Sequence, residues 1–281
     1  MTELGHRSER GTQALSLGGA LALRHKVQVH GEGEHLIVFS HGLGTDQTAW
    51  TAVVERLPTH FTTLLFDLPG AGPLLPEDFN PEDYSSVGDY ADDLLNLLDE
   101  IGVERCTYVG HSVSGMIGVL ASIEEPARFD KLVLLNASPR YLNDIDYTGG
   151  WNETELEALF SSMSANYQAW VAGFAPLAVK VDMPEAIADF SSGLLSMRPD
   201  ITARIAKMIF TSDLRRVLPQ VSVPTLLIHA REDVAVPESV ATYLERSIKG
   251  SRLVWIKTAG HMPHLAAPEE VAAILRDNLA H

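Results

Sequence analysis

Cysteine is almost missing from this chain. Cys106 is the only one in 281 residues, so no intrachain disulfide can form, and its apolar surroundings in the sequence mark it as a buried structural thiol. A chain built without disulfides fits a reducing compartment, and the expected location is the cytoplasm, with the nucleus open to it as well. Long hydrophobic runs are also lacking, since none reaches the ~18 apolar residues that a membrane-crossing helix needs. Basic charge is scarce: 21 Lys and Arg stand against 37 Asp and Glu, a formal net charge of -16. Such a surface opposes the counterion-release attraction that nucleic-acid binding relies on, so neither nucleic acid nor an anionic membrane is an expected partner. The first residues show no basic segment followed by a long apolar run, and no secretory address is expected. No Cys/His cluster has metal-ligand spacing, and neither a G-x-G-x-x-G loop nor a phosphate-loop lysine is found, so no metal and no cofactor is expected.

What is present is enough apolar material for a large core. Hydrophobic residues make up 46% of the chain and charged residues 21%, as in ordinary globular proteins. Short apolar runs at 36–40, 63–67, 106–110, 131–136, 225–230 and 253–257 alternate with helical patterns such as 90–101 and 268–279. That alternation predicts an α/β fold, a mostly parallel sheet flanked by helices. From Trp151 to about Arg216 no strand pattern appears, and Asn152 followed by Glu155 reads as a capping box opening a helix. The spacing therefore predicts a flexible tail over 1–24, a sheet-bearing core over 25–140 and 217–281, and an inserted helical lid over 141–216.

Gly110-His111-Ser112-Val113-Ser114 lies between a strand and a helical segment. Small residues flanking a serine in that context mark a nucleophile elbow, a sharp turn that exposes the hydroxyl above the sheet edge. Ser114 stands where the motif usually has its second glycine. A serine hydroxyl needs a base within hydrogen-bond reach and a third group to orient that base. Downstream, Asp233 follows the 225–230 strand and His261 follows the 253–257 strand, the order serine, acid, histidine of the α/β-hydrolases. Glu232 and Asp213 are the alternative acids, and His264 the alternative base. His111 reads as elbow packing. His41-Gly42-Leu43-Gly44, after the 36–40 strand, is placed to supply one backbone donor to an oxyanion hole, with Leu43 N–H and Val113 N–H as the pair. Asp67-Leu68-Pro69-Gly70 reads as a structural turn with a capping carboxylate.

With these residues in hand, the chain from about His25 onward resembles the plant karrikin and strigolactone receptor family, with the bacterial stress regulator RsbQ as a related outgroup. The likeness rests on the segments 44–50, 110–114, 138–144 (Ser-Pro-Arg-Tyr-Leu-Asn-Asp), 173–179 (Gly-Phe-Ala-Pro-Leu-Ala-Val), 197–201 and 260–264. It implies an α/β-hydrolase fold with a four-helix cap over a deep apolar pocket ending at the nucleophile. The implied ligand is a small apolar butenolide, slowly hydrolysed by a receptor whose lid then engages an F-box protein and a repressor. The pocket carried over by this likeness comprises His41, Leu43, Tyr141, Trp151, Phe174, Phe190 and Phe210. Leu43 and Trp151 both stand where that family usually has Phe. The alternatives are a small-ester or lactone hydrolase without a signalling role and a pure binding module with an idle triad; a dehalogenase would need Asp where Ser112 stands.

Overall fold

The computed structural model describes residues 14–73 and 79–279. Strands β1 (Gln28–His30), β2 (His35–Ser40), β3 (Phe61–Phe66), β4 (Cys106–His111), β5 (Phe129–Leu135), β6 (Thr225–Ala230) and β7 (Arg252–Ile256) form one sheet in the order β1-β3-β2-β4-β5-β6-β7. Every pairing is parallel except β1 with β3. Each of the six apolar runs coincides with a strand, those at 63–67, 131–136 and 253–257 running one residue past its end. In the middle of the sheet they are apolar without alternation because helices cover both faces. β1, the seventh strand, is an antiparallel edge strand that the apolar pattern does not reveal.

Between and around the strands lie α1 (Ala20–Arg24), α2 (Thr51–Val54), α3 (Val87–Ile101) and α4 (Val113–Glu124). α3 is capped by a reciprocal box of Ser86 and Asp89 and stopped by Gly102 in the left-handed conformation at φ 80°, while its leucines are buried against the sheet. Of the expected tail, residues 1–13 lie outside the described residues. The rest is not a flexible tail as expected: Ala20–Arg24 is helical, Ala22 is buried, Ser16 N–H bonds Ile101 O and Ala22 N–H bonds Glu100. Contacts to α3, invisible to local periodicity, hold this segment.

Between β5 and β6 run four helices, α5 (Glu153–Ala165), α6 (Tyr167–Val179), α7 (Pro184–Ser196) and α8 (Pro199–Thr211). The capping box at Asn152 and Glu155 opens α5. α9 (Glu238–Ser247), α10 (Pro263–Ala266) and α11 (Pro268–Leu279) complete the core. No helix of the described residues is long and apolar enough to cross a membrane.

The buried side chains divide into three groups. One, on the α3/α4 side of the sheet, takes in residues of α5 and α8; one lies on the opposite face around Trp50 and α11. A third joins α6 and α7 to Met262 and Ala266. The carboxyl ends of β2, β4, β5, β6 and β7 all emerge beneath the helical insertion, the place where parallel α/β sheets present their sites.

Candidate active site

Ser112 occupies the single residue between β4 and α4, with φ 56° and ψ -122°. This conformation is uncommon for a residue with a side chain and marks stored strain. Close packing makes the turn possible. A Cβ on Gly110 would lie 2.4 Å from Ser114 O, and one on Gly115 would lie 2.5 Å from Ala137 Cβ. Ser114, in place of the second glycine, is fully buried and its hydroxyl donates to His41 O, tying the elbow to the loop after β2.

Ser112 Oγ is 2.9 Å from His261 Nε2, and His261 Nδ1 is 2.7 Å from Asp233 Oδ2. Asp233 Oδ1 accepts from Ala235 N–H at 2.7 Å and from Val236 N–H at 3.2 Å, so its other oxygen is left for the imidazole. The side chain of Asp233 is 1% exposed. The alternatives point elsewhere. Glu232 pairs with Lys180 at 3.1 Å in solvent, and Asp213 pairs with Arg140 and Arg215. His264 is buried against Trp50 and His111, with ring centroids 4.7 and 4.3 Å away, and burial pushes its pKa down to about 3. A neutral, packed ring with no link to Ser112 is no base for it.

The loop after β2 is held by its own carbonyl. Gly42 O accepts from Thr45 Oγ1 at 3.0 Å and from His41 Nδ1 at 2.9 Å. His41 Nε2 in turn accepts from Leu68 N–H at 2.9 Å, which fixes the tautomer, and burial keeps the ring neutral by lowering its pKa. Because a trans peptide directs its C=O and N–H to opposite sides, fixing Gly42 O also aims Leu43 N–H. Val113 N–H lies in the first turn of α4, where a helix has no partner of its own to offer. Asp67, at the end of β3, accepts from Gln47 N–H and pairs with Lys26, a capping and bracing role.

Ser112 and His261 form the floor of a cavity walled by aromatic and aliphatic side chains. Of the expected lining residues, Leu43, Tyr141, Phe174, Phe190 and Phe210 do line it. Trp151 does not: its backbone pairs with Tyr141 and Asn143, and its ring backs edge-on onto Phe210 at 5.6 Å, one layer outside. His41 lies outside too, with its ring spent on Gly42 and Leu68. It borders a smaller neighbouring cavity, which shares Leu43 and Ile209 with the first. Trp170, stacked on Phe174 at 5.1 Å, lines the main cavity and went unnoticed in the sequence. Its signal was the i, i+4 spacing from Phe174 on α6. Tyr141 Oη lies 3.4 Å from Ser112 Oγ, and burial raises its pKa, so it stays a protonated donor.

The helical insertion touches His261 directly. His261 N–H donates to Ala178 O at 2.6 Å. Gly260, with φ 93°, presses so close that a Cβ there would lie 2.1 Å from Val179 O.

A serine in a strained elbow, hydrogen-bonded to a histidine that pairs with a buried aspartate above a parallel sheet, is the arrangement of a hydrolase of the α/β class. The comparisons agree. Residues 37–274 match the alpha/beta hydrolase family model. The chain is 48% identical to strigolactone esterase D14 of Arabidopsis thaliana over 89% of its length and 94% of that protein's. It is 45% identical to karrikin insensitive 2 receptor CA of Petunia hybrida over 94% and 98%. Among solved structures, a hydrolase from Oleispira antarctica superposes with a TM-score of 0.87 at 30% identity, covering 93% of this chain and 95% of that one. The chain belongs to the α/β-hydrolase family, within the group that holds these esterases and receptors.

Proposed function

We propose that this protein is a serine hydrolase that binds a small butenolide and cleaves it slowly, acting as a receptor for it. The observation that carries the reading is the Ser112–His261–Asp233 relay at the floor of an aromatic cavity, in a chain 48% identical to a strigolactone esterase.

Ser112 Oγ attacks the carbonyl carbon of the bound ester while its proton passes to His261 Nε2. The carbonyl oxygen becomes an oxyanion held by Leu43 N–H and Val113 N–H, each such donor being worth roughly 3–4 kcal/mol. His261, its charge stabilised by Asp233, then protonates the departing oxygen as the carbon–oxygen bond breaks. Water repeats the sequence on the acyl-enzyme and frees Ser112. The aromatic walls recognise an apolar ligand by contact, leaving the reacting carbonyl as its main polar anchor.

In the receptor reading, an occupied or cleaved ligand alters the helical insertion, which then engages an F-box protein and a repressor in the cytoplasm or nucleus. The contact of Ala178 and Val179 with the His261 loop supports it, because the base and the insertion share a hydrogen bond. The test is chromatography of product from a synthetic enol-ether butenolide incubated with the protein and with Ser112→Ala. Release by the parent alone supports the reading. Ready turnover of p-nitrophenyl acetate with the butenolide left intact would make the protein a simple esterase.

A further inference from the structure

For Ser112, Asp233 and His261 to meet, three loops leaving the ends of β4, β6 and β7 must keep a fixed spacing. One residue, Asn136, bonds the end of β6 and the loop after β7 directly, and its neighbour Leu135 holds the loop after β4. Asn136 follows β5 directly, is fully buried, and takes the left-handed conformation at φ 46° that Asn tolerates better than most side chains. Its neighbour Leu135 accepts from Ser112 N–H at 2.9 Å, and its own N–H bonds Ile228 O at 2.9 Å. The side chain spans the remaining gap: Oδ1 accepts from Ala230 N–H at 2.9 Å, and Nδ2 donates to Gly260 O at 3.0 Å.

Those partners are informative. Ala230 is three residues before Asp233, and Gly260 immediately precedes His261. Gly260 N–H also donates to Glu232 O at 2.8 Å, so the two loops and the Asn136 amide form a closed ring of hydrogen bonds. The amide's orientation is forced, since an N–H must donate to it and a carbonyl must accept from it. Among the common side chains of this length, a carboxylate would face the Gly260 carbonyl and an aliphatic group would leave two buried backbone groups unpaired.

We infer that Asn136 is a positioning residue that sets the distance between the acid-bearing and base-bearing loops, and so the 2.7 Å contact of His261 with Asp233. This inference rests on the triad reading above. Nothing in the elbow motif calls for it, and it touches no substrate.

The test compares Asn136→Gly, which keeps the left-handed backbone and loses both side-chain links, with Asn136→Asp, which keeps the link to Ala230 and loses the one to Gly260. Hydrolysis of p-nitrophenyl acetate is measured alongside the downfield proton resonance of His261 Nδ1–H. In both variants kcat should fall by about tenfold to a hundredfold, the usual loss when a group orienting a catalytic residue is removed, with KM within twofold and the resonance shifted or broadened. Unchanged kcat in both, or a fall in kcat with the resonance unmoved, overturns the inference. If Asn136→Gly fails to fold, Asn136→Asp alone decides by the same criteria. Ser112→Ala separates the two readings: if it still hydrolyses the ester, the triad falls and the role of Asn136 with it. If it is dead while both Asn136 variants work, only the role of Asn136 falls.

Discussion

The sheet edge and the helical insertion meet at one cavity but are built by different means. At the sheet edge nearly every group near the reaction is hydrogen-bonded to a defined partner: Gly42 O, Asp233 Oδ1, His41 and Asn136 have no freedom left. The insertion contributes Trp170, Phe174 and Phe190, which pack ring on ring, and Phe210, which packs on Tyr141 and Trp151; all four line the cavity. Hydrogen bonds fix distances to tenths of an ångström, whereas apolar contacts can be repacked at modest cost. Changes at the edge should therefore destroy rate, and changes in the insertion should redistribute selectivity.

The largest expected effect is on turnover. Ser112→Ala should lower kcat on the order of 10⁴-fold or more, and Asp233→Asn on the order of 10³- to 10⁴-fold through the wrong imidazole tautomer, as in other triads. Both variants should melt within a few degrees of the parent in a thermal-shift assay. A variant of either kind retaining a tenth of the rate would erase the contrast between the two regions.

Acid should act on the same side. Buried His229 and His264 have pKa values pushed down by burial to about 4 and about 3, and His41 and His111 are lowered as well; all lie on the sheet side, and residues 141–216 contain no histidine. A group whose folded pKa is depressed contributes stability that is complete above its unfolded value, near 6.5, and lost as pH falls. At pH 5 His229 and His264 should each cost about 2 kcal/mol. Urea unfolding at pH 7 and pH 5 reads the loss, and hydrogen exchange should place it in the core strands. Equal stability at both pH values would mean that these rings are protonated in the fold.

How much of this was visible beforehand follows from the same division. The six strands with apolar runs, the elbow, and the order Ser112, Asp233, His261 are local patterns, and local patterns show in a sequence. β1 has one apolar residue in Gln28-Val29-His30, and its partner β3 lies more than thirty residues away. Asn136 looks like any polar residue at a strand's end until Ala230 and Gly260 arrive from far along the chain. Trp151 and Trp170 exchange roles for a comparable reason. Helical spacing places Trp170 beside Phe174, but only the fold of 141–151 shows that Trp151 stands behind Phe210.

A smaller effect is expected where the two regions share a wall. Leu43 and Ile209 divide the main cavity from its smaller neighbour. Leu43→Phe should narrow that partition and weaken bulky butenolides by about 1–3 kcal/mol, roughly 5- to 150-fold, with small ones less affected. Competition assays with ligands of graded size measure this, and an unchanged ranking would remove Leu43 from the selectivity wall. The smallest effect belongs to the exposed tie between insertion and acid loop. Lys180 and Glu232 are 41% and 70% exposed, so Lys180→Met should change stability by less than about 0.5 kcal/mol and leave kcat intact. A larger loss would show that charge, and not the Ala178–His261 contact, joins the two regions.

In the proposed reaction Ser112 begins the chemistry on a butenolide and His261 serves it. Intact-mass analysis of the protein quenched during incubation with a synthetic butenolide ester, followed by peptide mapping, tests this most directly. A ring-derived mass increment is expected on the peptide carrying Ser112 or His261, and none in Ser112→Ala. An unmodified parent protein that releases no product, or an equal increment in Ser112→Ala, would contradict it.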